Sequence, residues 1–132
     1  MIVLDASVLI AYLDRDDSHH VAAESLLAEA VDGDLGVDPL TLAEVLVAPA
    51  RDDLIEATKA ALRNLEVAEL PFPSPVRLAR LRATTGLRMP DCCVLLAAED
   101  AAATAATAAT IASFDDRLVH TAEARKVSVF GR

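Results

Sequence analysis

The chain has 132 residues, 54% hydrophobic and only 3% aromatic, and its 21 acidic against 12 basic residues leave a formal net charge of −9. So much aliphatic material excludes disorder, and the length suits one compact domain that buries a real core without disulfides or structural metal. The acid excess excludes a protein that holds nucleic acid by a general basic surface, and the scarcity of rings excludes base stacking as a main binding mode.

The opening "MIVLDASVLIAYL" reads as a strand over 2–4 running into a helix over 7–13. It is almost wholly apolar, as a buried parallel strand is, yet Asp5 sits within it. An uncompensated carboxylate there would cost several kcal/mol, so Asp5 is either a turn cap, with Ser7 two residues on, or part of a site. A helix over 18–31 and a strand over 35–37 follow. Asp38 then reads as an N-cap and Pro39 as the first helical residue of a helix whose core spans 40–47. That helix carries Glu44 in "LTLAEVL", where Thr41 and Glu44 also match a capping box.

A helix over 52–64, a strand over 67–70 and a helix over 75–85 closed by Gly86 come next. The first of these has an apolar stripe of Leu54, Ala57, Ala61, Leu62 and Leu65, which suits either the core or a docking groove for a partner helix. Asp91 opens the helix over 91–103 in "MPDCCVLLAA", a position that also suits an ordinary acidic first-turn residue. "AAATAATAAT" reads as that helix ending and running into a strand over 110–112. In "ASFDDRL", Asp115 and Asp116 follow directly, and one of them can simply cap the helix over 116–125. A strand over 127–130 closes the chain.

Strands alternating with helices imply the α/β class, with a five-stranded parallel sheet flanked by helices on both faces. Ligands bind at the carboxyl ends of such strands, and Asp5, Glu44, Asp91 and Asp115 all fall there. Carboxylates gathered at one edge repel one another unless a divalent cation neutralises them, and hard oxygen donors point to Mg²⁺ or Mn²⁺. Such ions can activate a water and stabilise a leaving oxygen in phosphodiester cleavage. The other acids, Asp32 among them, sit in turns or on solvated faces. Arg77, Arg80, Arg82 and Arg88 form the densest basic segment, either a guide for a phosphate backbone or a solvated helix face. His19, His20 and His120 lie away from the acidic motifs and read as structural or solvent-exposed. Cys92 and Cys93 read as buried thiols of a reducing compartment. With the apolar start broken at Asp5 and Asp14, no signal peptide or membrane span is expected, and a cytoplasmic protein is.

The stretches "MIVLDASVLIAYL", "LTLAEVL", "MPDCCVLLAA" and "ASFDDRL", in that order and spacing, resemble the four acidic motifs of PIN-domain ribonucleases. The short length resembles the VapC toxins of bacterial toxin–antitoxin pairs. The resemblance runs nearly end to end and implies one PIN domain over 1–132. It implies a Mg²⁺- or Mn²⁺-dependent endoribonuclease, a homodimer, an RNA substrate and a cognate VapB-like antitoxin that blocks the site. Carried over residue by residue, it makes Asp5, Glu44, Asp91 and Asp115 the catalytic and metal-binding acids. Ser7 and Ser113 become supporting residues, with Asp116 left open as an alternative to Asp115. A metal-activated water would leave a 5′-phosphate and a 3′-hydroxyl. Two departures stand out: serine occupies the usual threonine place at Ser113, and no glycine precedes the fourth strand. Two other readings compete. One is a PIN-like module kept only for protein interaction. The other is an aspartate-based phosphotransfer domain, which Ser7 and Lys126 fit poorly.

Overall fold

The computed structural model describes residues 1–30 and 34–131. Its elements are β1 (Ile2–Leu4), α1 (Ala6–Leu13), α2 (His20–Glu29), β2 (Leu35–Val37), α3 (Pro39–Arg51) and α4 (Ile55–Asn64). They continue with β3 (Val67–Glu69), α5 (Pro75–Thr85), α6 (Met89–Ala105), β4 (Thr110–Ala112), α7 (Asp116–Ala124) and β5 (Ser128–Val129). Among the described residues the five strands form one parallel sheet in the order β3-β2-β1-β4-β5.

The central strand explains why the opening run is apolar throughout. Side chains alternate across a strand, and here both faces are covered. Val3 joins a core built largely from α5, α6 and α7, with Leu78, Leu81, Leu95 and Leu118. Ile2 and Leu4 join a second core with Val8, Leu9, Leu27, Val45 and Leu62, from α1 to α4. The helix α6 is buried along "DCCVLLAA" because it packs in the middle of the first core. Cys92 and Cys93 are free and fully buried in it. No helix among the described residues is long and apolar enough to cross a membrane.

Several boundaries differ from the sequence reading for identifiable reasons. The helix expected over 18–31 starts only at His20, because the Asp17 carboxylate accepts the His19 N–H and holds a turn there. Its far end, Val31, and Asp32 lie outside the described residues. The third helix, expected to stop at 47, continues through Pro49 to Arg51. A proline removes one bond and crowds the preceding turn, but residues after it can stay helical. The Pro49 carbonyl then accepts from the N–H groups of Asp52 and Leu54, which ends the helix and delays α4 to Ile55. The sixth helix starts two residues earlier than expected, at Met89, because Pro90 is tolerated in its first turn. Gly86, with φ of 70°, closes α5 in a left-handed conformation and turns the chain toward Arg88 and Asp91.

Candidate active site

Asp5 follows β1 directly and occupies the N-cap position of α1, yet its side chain makes no capping bond. Its Oδ2 instead accepts from the hydroxyls of Ser7, at 2.9 Å, and Ser113, at 2.7 Å. Each serine oxygen accepts in turn: Ser7 Oγ from the Phe114 N–H and Ser113 Oγ from the Asp115 N–H, both at 3.0 Å. Two hydroxyls therefore stitch the end of β1 to the turn after β4 and satisfy a carboxyl group only 6% exposed. The Asp5 side chain does not cap α1, but the Ser7 bond two residues on is the one the turn alternative expects, and the Ser113 bond adds to it.

Asp115 does two jobs. Its Oδ1 caps α7, accepting from the N–H groups of Arg117 and Leu118, while its Oδ2 stands 4.0 Å from Arg88 Nη2. Asp116, in the first turn of α7, is exposed. Asp91 stands in the first turn of α6 but is only 4% exposed. Its carboxyl is pushed up from 3.8 to about 6, first by burial, then by the negative charges of Asp5, Asp115 and Glu44, against the opposing pull of Arg88. Glu44 is likewise raised, by burial first and then by Asp5, with Arg88 opposing and Asp38 adding to it. Asp91 thus feels the charges of Asp5, Asp115 and Glu44, and Glu44 feels those of Asp5 and Asp38.

The capping-box alternative for Glu44 fails because the cap is elsewhere. Asp38, wholly buried, accepts the N–H groups of Leu40 and Thr41 with Oδ1 and the Thr41 hydroxyl with Oδ2 at 2.6 Å. Thr41 is therefore already inside the helix. The sequence reading took Asp38 as a cap, which it is, but missed that its charge also bears on Glu44. The signal was present in its place directly after the second strand.

The basic segment divides. Arg88, more than two-thirds exposed, reaches the acids, with Nε 3.8 Å from Asp91 Oδ2. Arg82 instead donates to the Leu87 carbonyl at 2.6 Å and braces the turn between α5 and α6. Arg80 is exposed on α5, lining a groove with Arg77, Thr84, Glu99 and Arg125, where Arg77 and Arg125 pair with Glu99. Among the histidines, His20 ties α2 to α1 through Nδ1, 2.7 Å from the Ala11 carbonyl. His19 departs from expectation: its ring stacks on Phe114, the residue between Ser113 and Asp115. The α4 stripe also splits, with Leu62 in the core and Leu54, Ala57 and Ala61 lining a groove of about 440 Å³ that runs past Ile10 and Val45 to Glu44.

The PIN-domain family matches residues 2–124. The chain belongs to that family. Solved structures agree in fold. FitAcB from Neisseria gonorrhoeae is 21% identical with a TM-score of 0.68, over 99% of this chain and 97% of the other. PAE2754 from Pyrobaculum aerophilum is 19% identical with a TM-score of 0.58, over 98% and 88%. No curated protein matches by sequence.

PIN domains are generally nucleases and typically use divalent metals. The donors of this PIN domain fit a hard cation: they are all carboxylate oxygens, and those of Asp91 and Glu44 are short of positive charge. Among the described residues, no three potential ligands are drawn close enough to form a ready-made cage. The cysteines of this PIN domain are out of play, since burial raises both thiols and pushes Cys93 up to about 12.

Proposed function

We propose that this protein is a Mg²⁺- or Mn²⁺-dependent endoribonuclease, a VapC-like toxin controlled by a VapB-like antitoxin. The observation that carries the reading is buried Asp91 at the carboxyl edge of a PIN-domain sheet, its carboxyl raised by burial and by the charges of Asp5, Asp115 and Glu44. Such a cluster is unstable as a structural element and makes sense as a cation site.

In this reading Asp5, Glu44, Asp91 and Asp115 would hold the metal, which when bound supplies a polarised water and neutralises charge on the scissile phosphate. Ser7 and Ser113 keep Asp5 oriented through Oδ2. Asp115 keeps Oδ2 turned to the cluster while Oδ1 is committed to α7. Arg88 is placed to exchange its carboxylate contacts for a phosphate oxygen, whereas Arg80 and Arg82 contribute at most at longer range. The groove between α1, α3 and α4, ending at Glu44 and lined by Ile10, Leu54, Ala57 and Ala61, would seat an antitoxin helix, and a homodimer in the cytoplasm is the expected working state.

The test is cleavage of RNA by the purified protein freed of any antitoxin, with Mg²⁺ or Mn²⁺, with EDTA, and with Asp5→Asn. Metal-dependent cutting that leaves 5′-phosphate and 3′-hydroxyl ends, and that Asp5→Asn abolishes, is the expected result. A 2′,3′-cyclic phosphate, or activity surviving EDTA, overturns the reading.

A further inference from the structure

The stacked pair His19–Phe114 has no part in the scheme above. Its ring centroids are 4.9 Å apart with planes inclined by 15°, and it is the one ring stack among the described residues. Phe114 is tied to the acid cluster through its backbone, since its N–H donates to the same Ser7 hydroxyl that holds Asp5. Its ring is half-buried and packs against the core of α1 to α4, so it forms a fixed backing. The imidazole of His19 is pinned at its Nδ1 edge, 3.4 Å from Ser18 Oγ and 3.8 Å from Asp17 Oδ1. Its side chain nevertheless remains 57% exposed. The exposed imidazole thus rests on the residue that stands between Ser113 and Asp115.

We propose that His19, backed by Phe114, is a platform on which a nucleobase next to the scissile phosphate stacks. The inference rests on the nuclease reading for its substrate class and adds the positioning residue that reading lacks. A protein of net charge −9 gains little from general phosphate contacts, whereas stacking is indifferent to charge and tolerant of sequence. A purely packing role fits less well. The junction of α1 and α2 is already held by His20 on the Ala11 carbonyl, and a ring present only for packing would be buried rather than mostly exposed.

The experiment uses a set of single-stranded RNAs carrying 2-aminopurine at successive positions, with the His19→Ala and His19→Phe variants. Steady-state cleavage in Mg²⁺ gives kcat and KM, and equilibrium binding is read by fluorescence in an Asp5→Asn background that does not cut. His19→Ala should raise KM and Kd by roughly 10-fold, the weight of one stacked base, with kcat and Tm little changed. The 2-aminopurine quench should disappear with it, and His19→Phe should restore both quench and affinity. Unchanged Kd and quench in His19→Ala overturn the platform while leaving the nuclease intact. A loss of Tm and kcat that His19→Phe does not repair assigns the ring to packing and overturns it equally. Absence of cleavage by the unaltered protein counts against the nuclease reading alone, because the binding arm still decides the platform.

Discussion

Replacing Asp91 with Asn should make the metal-free protein more stable while abolishing its activity. Asp91 is almost fully buried, and burial together with Asp5, Asp115 and Glu44 lifts its carboxyl from 3.8 to about 6. Folded protein therefore holds this proton more tightly than unfolded chain does. The stability it confers is complete below pH 3.8 and is lost as pH rises through about 6. The displacement corresponds to on the order of 3 kcal/mol, of which water at the rim of the cluster leaves about 1–2 kcal/mol as a net difference. For a domain of this size that is a shift of roughly 3–8 °C in Tm. The assay is thermal melting in EDTA at pH 5 and pH 8. Asp91→Asn should melt higher than the unaltered protein at pH 8 and by roughly half that margin at pH 5, which lies between 3.8 and about 6. Added Mg²⁺ should raise the unaltered protein at pH 8 and leave the variant where it was. A variant that melts lower than the unaltered protein at pH 8 would refute the reasoning, since it would make Asp91 a support of the fold rather than a charge the fold tolerates.

The other perturbations follow from the same contacts. Arg88→Ala removes a cation that opposes the upward shift of both Asp91 and Glu44, so it should lower apo stability at pH 8, opposite in sign to Asp91→Asn, by no more than about 1 kcal/mol for so exposed a group. Combined with Asp91→Asn its effect should shrink, which a double-mutant cycle of urea midpoints checks. Ser113→Ala takes a 2.7 Å bond from Asp5 and an acceptor from the Asp115 N–H, and should cost about 1–3 kcal/mol and most of any metal-dependent cleavage, with Ser113→Thr restoring both. Asp38→Ala uncaps a buried helix end and should cost about 2 kcal/mol in denaturant titration, most of it recovered by Asp38→Ser.

What the sequence disclosed depended on how local the governing physics was. Asp5 was conspicuous because a charge inside "IVLDASVLI" has no local excuse, and β1 does prove to be the central strand with both faces covered. The strand and helix alternation likewise led directly to the observed sheet, because periodicity and burial are set within each segment. The capping box at Thr41 and Glu44 was a true local pattern overruled by another, since Asp38 caps the helix three residues earlier. The helix expected to stop at 47 runs on through Pro49 to Arg51. The fates of Arg80, Arg82 and Arg88, close together on the chain, were illegible because each is decided by a partner from another turn or element. His19 was misplaced for the same reason. Its stacking partner is far along the chain and no spacing rule connects them.

The site also explains how an acidic chain tolerates so costly an arrangement. The repulsion among the acids is confined to one edge of the sheet, where the same turns that bring the carboxylates together supply Ser7, Ser113 and two helix N-termini to hold them. None of these partners neutralises the cluster: hydroxyls and backbone N–H groups solvate charge without removing it, and Arg88, mostly exposed, offsets only part. The remaining deficit is what a divalent cation would relieve. If the proposed site holds a metal, the stability withheld from the metal-free fold would reappear as affinity for that metal. By that linkage, any substitution that calms the cluster in the absence of metal, Asp91→Asn above all, should weaken Mg²⁺ binding as it raises the apo Tm.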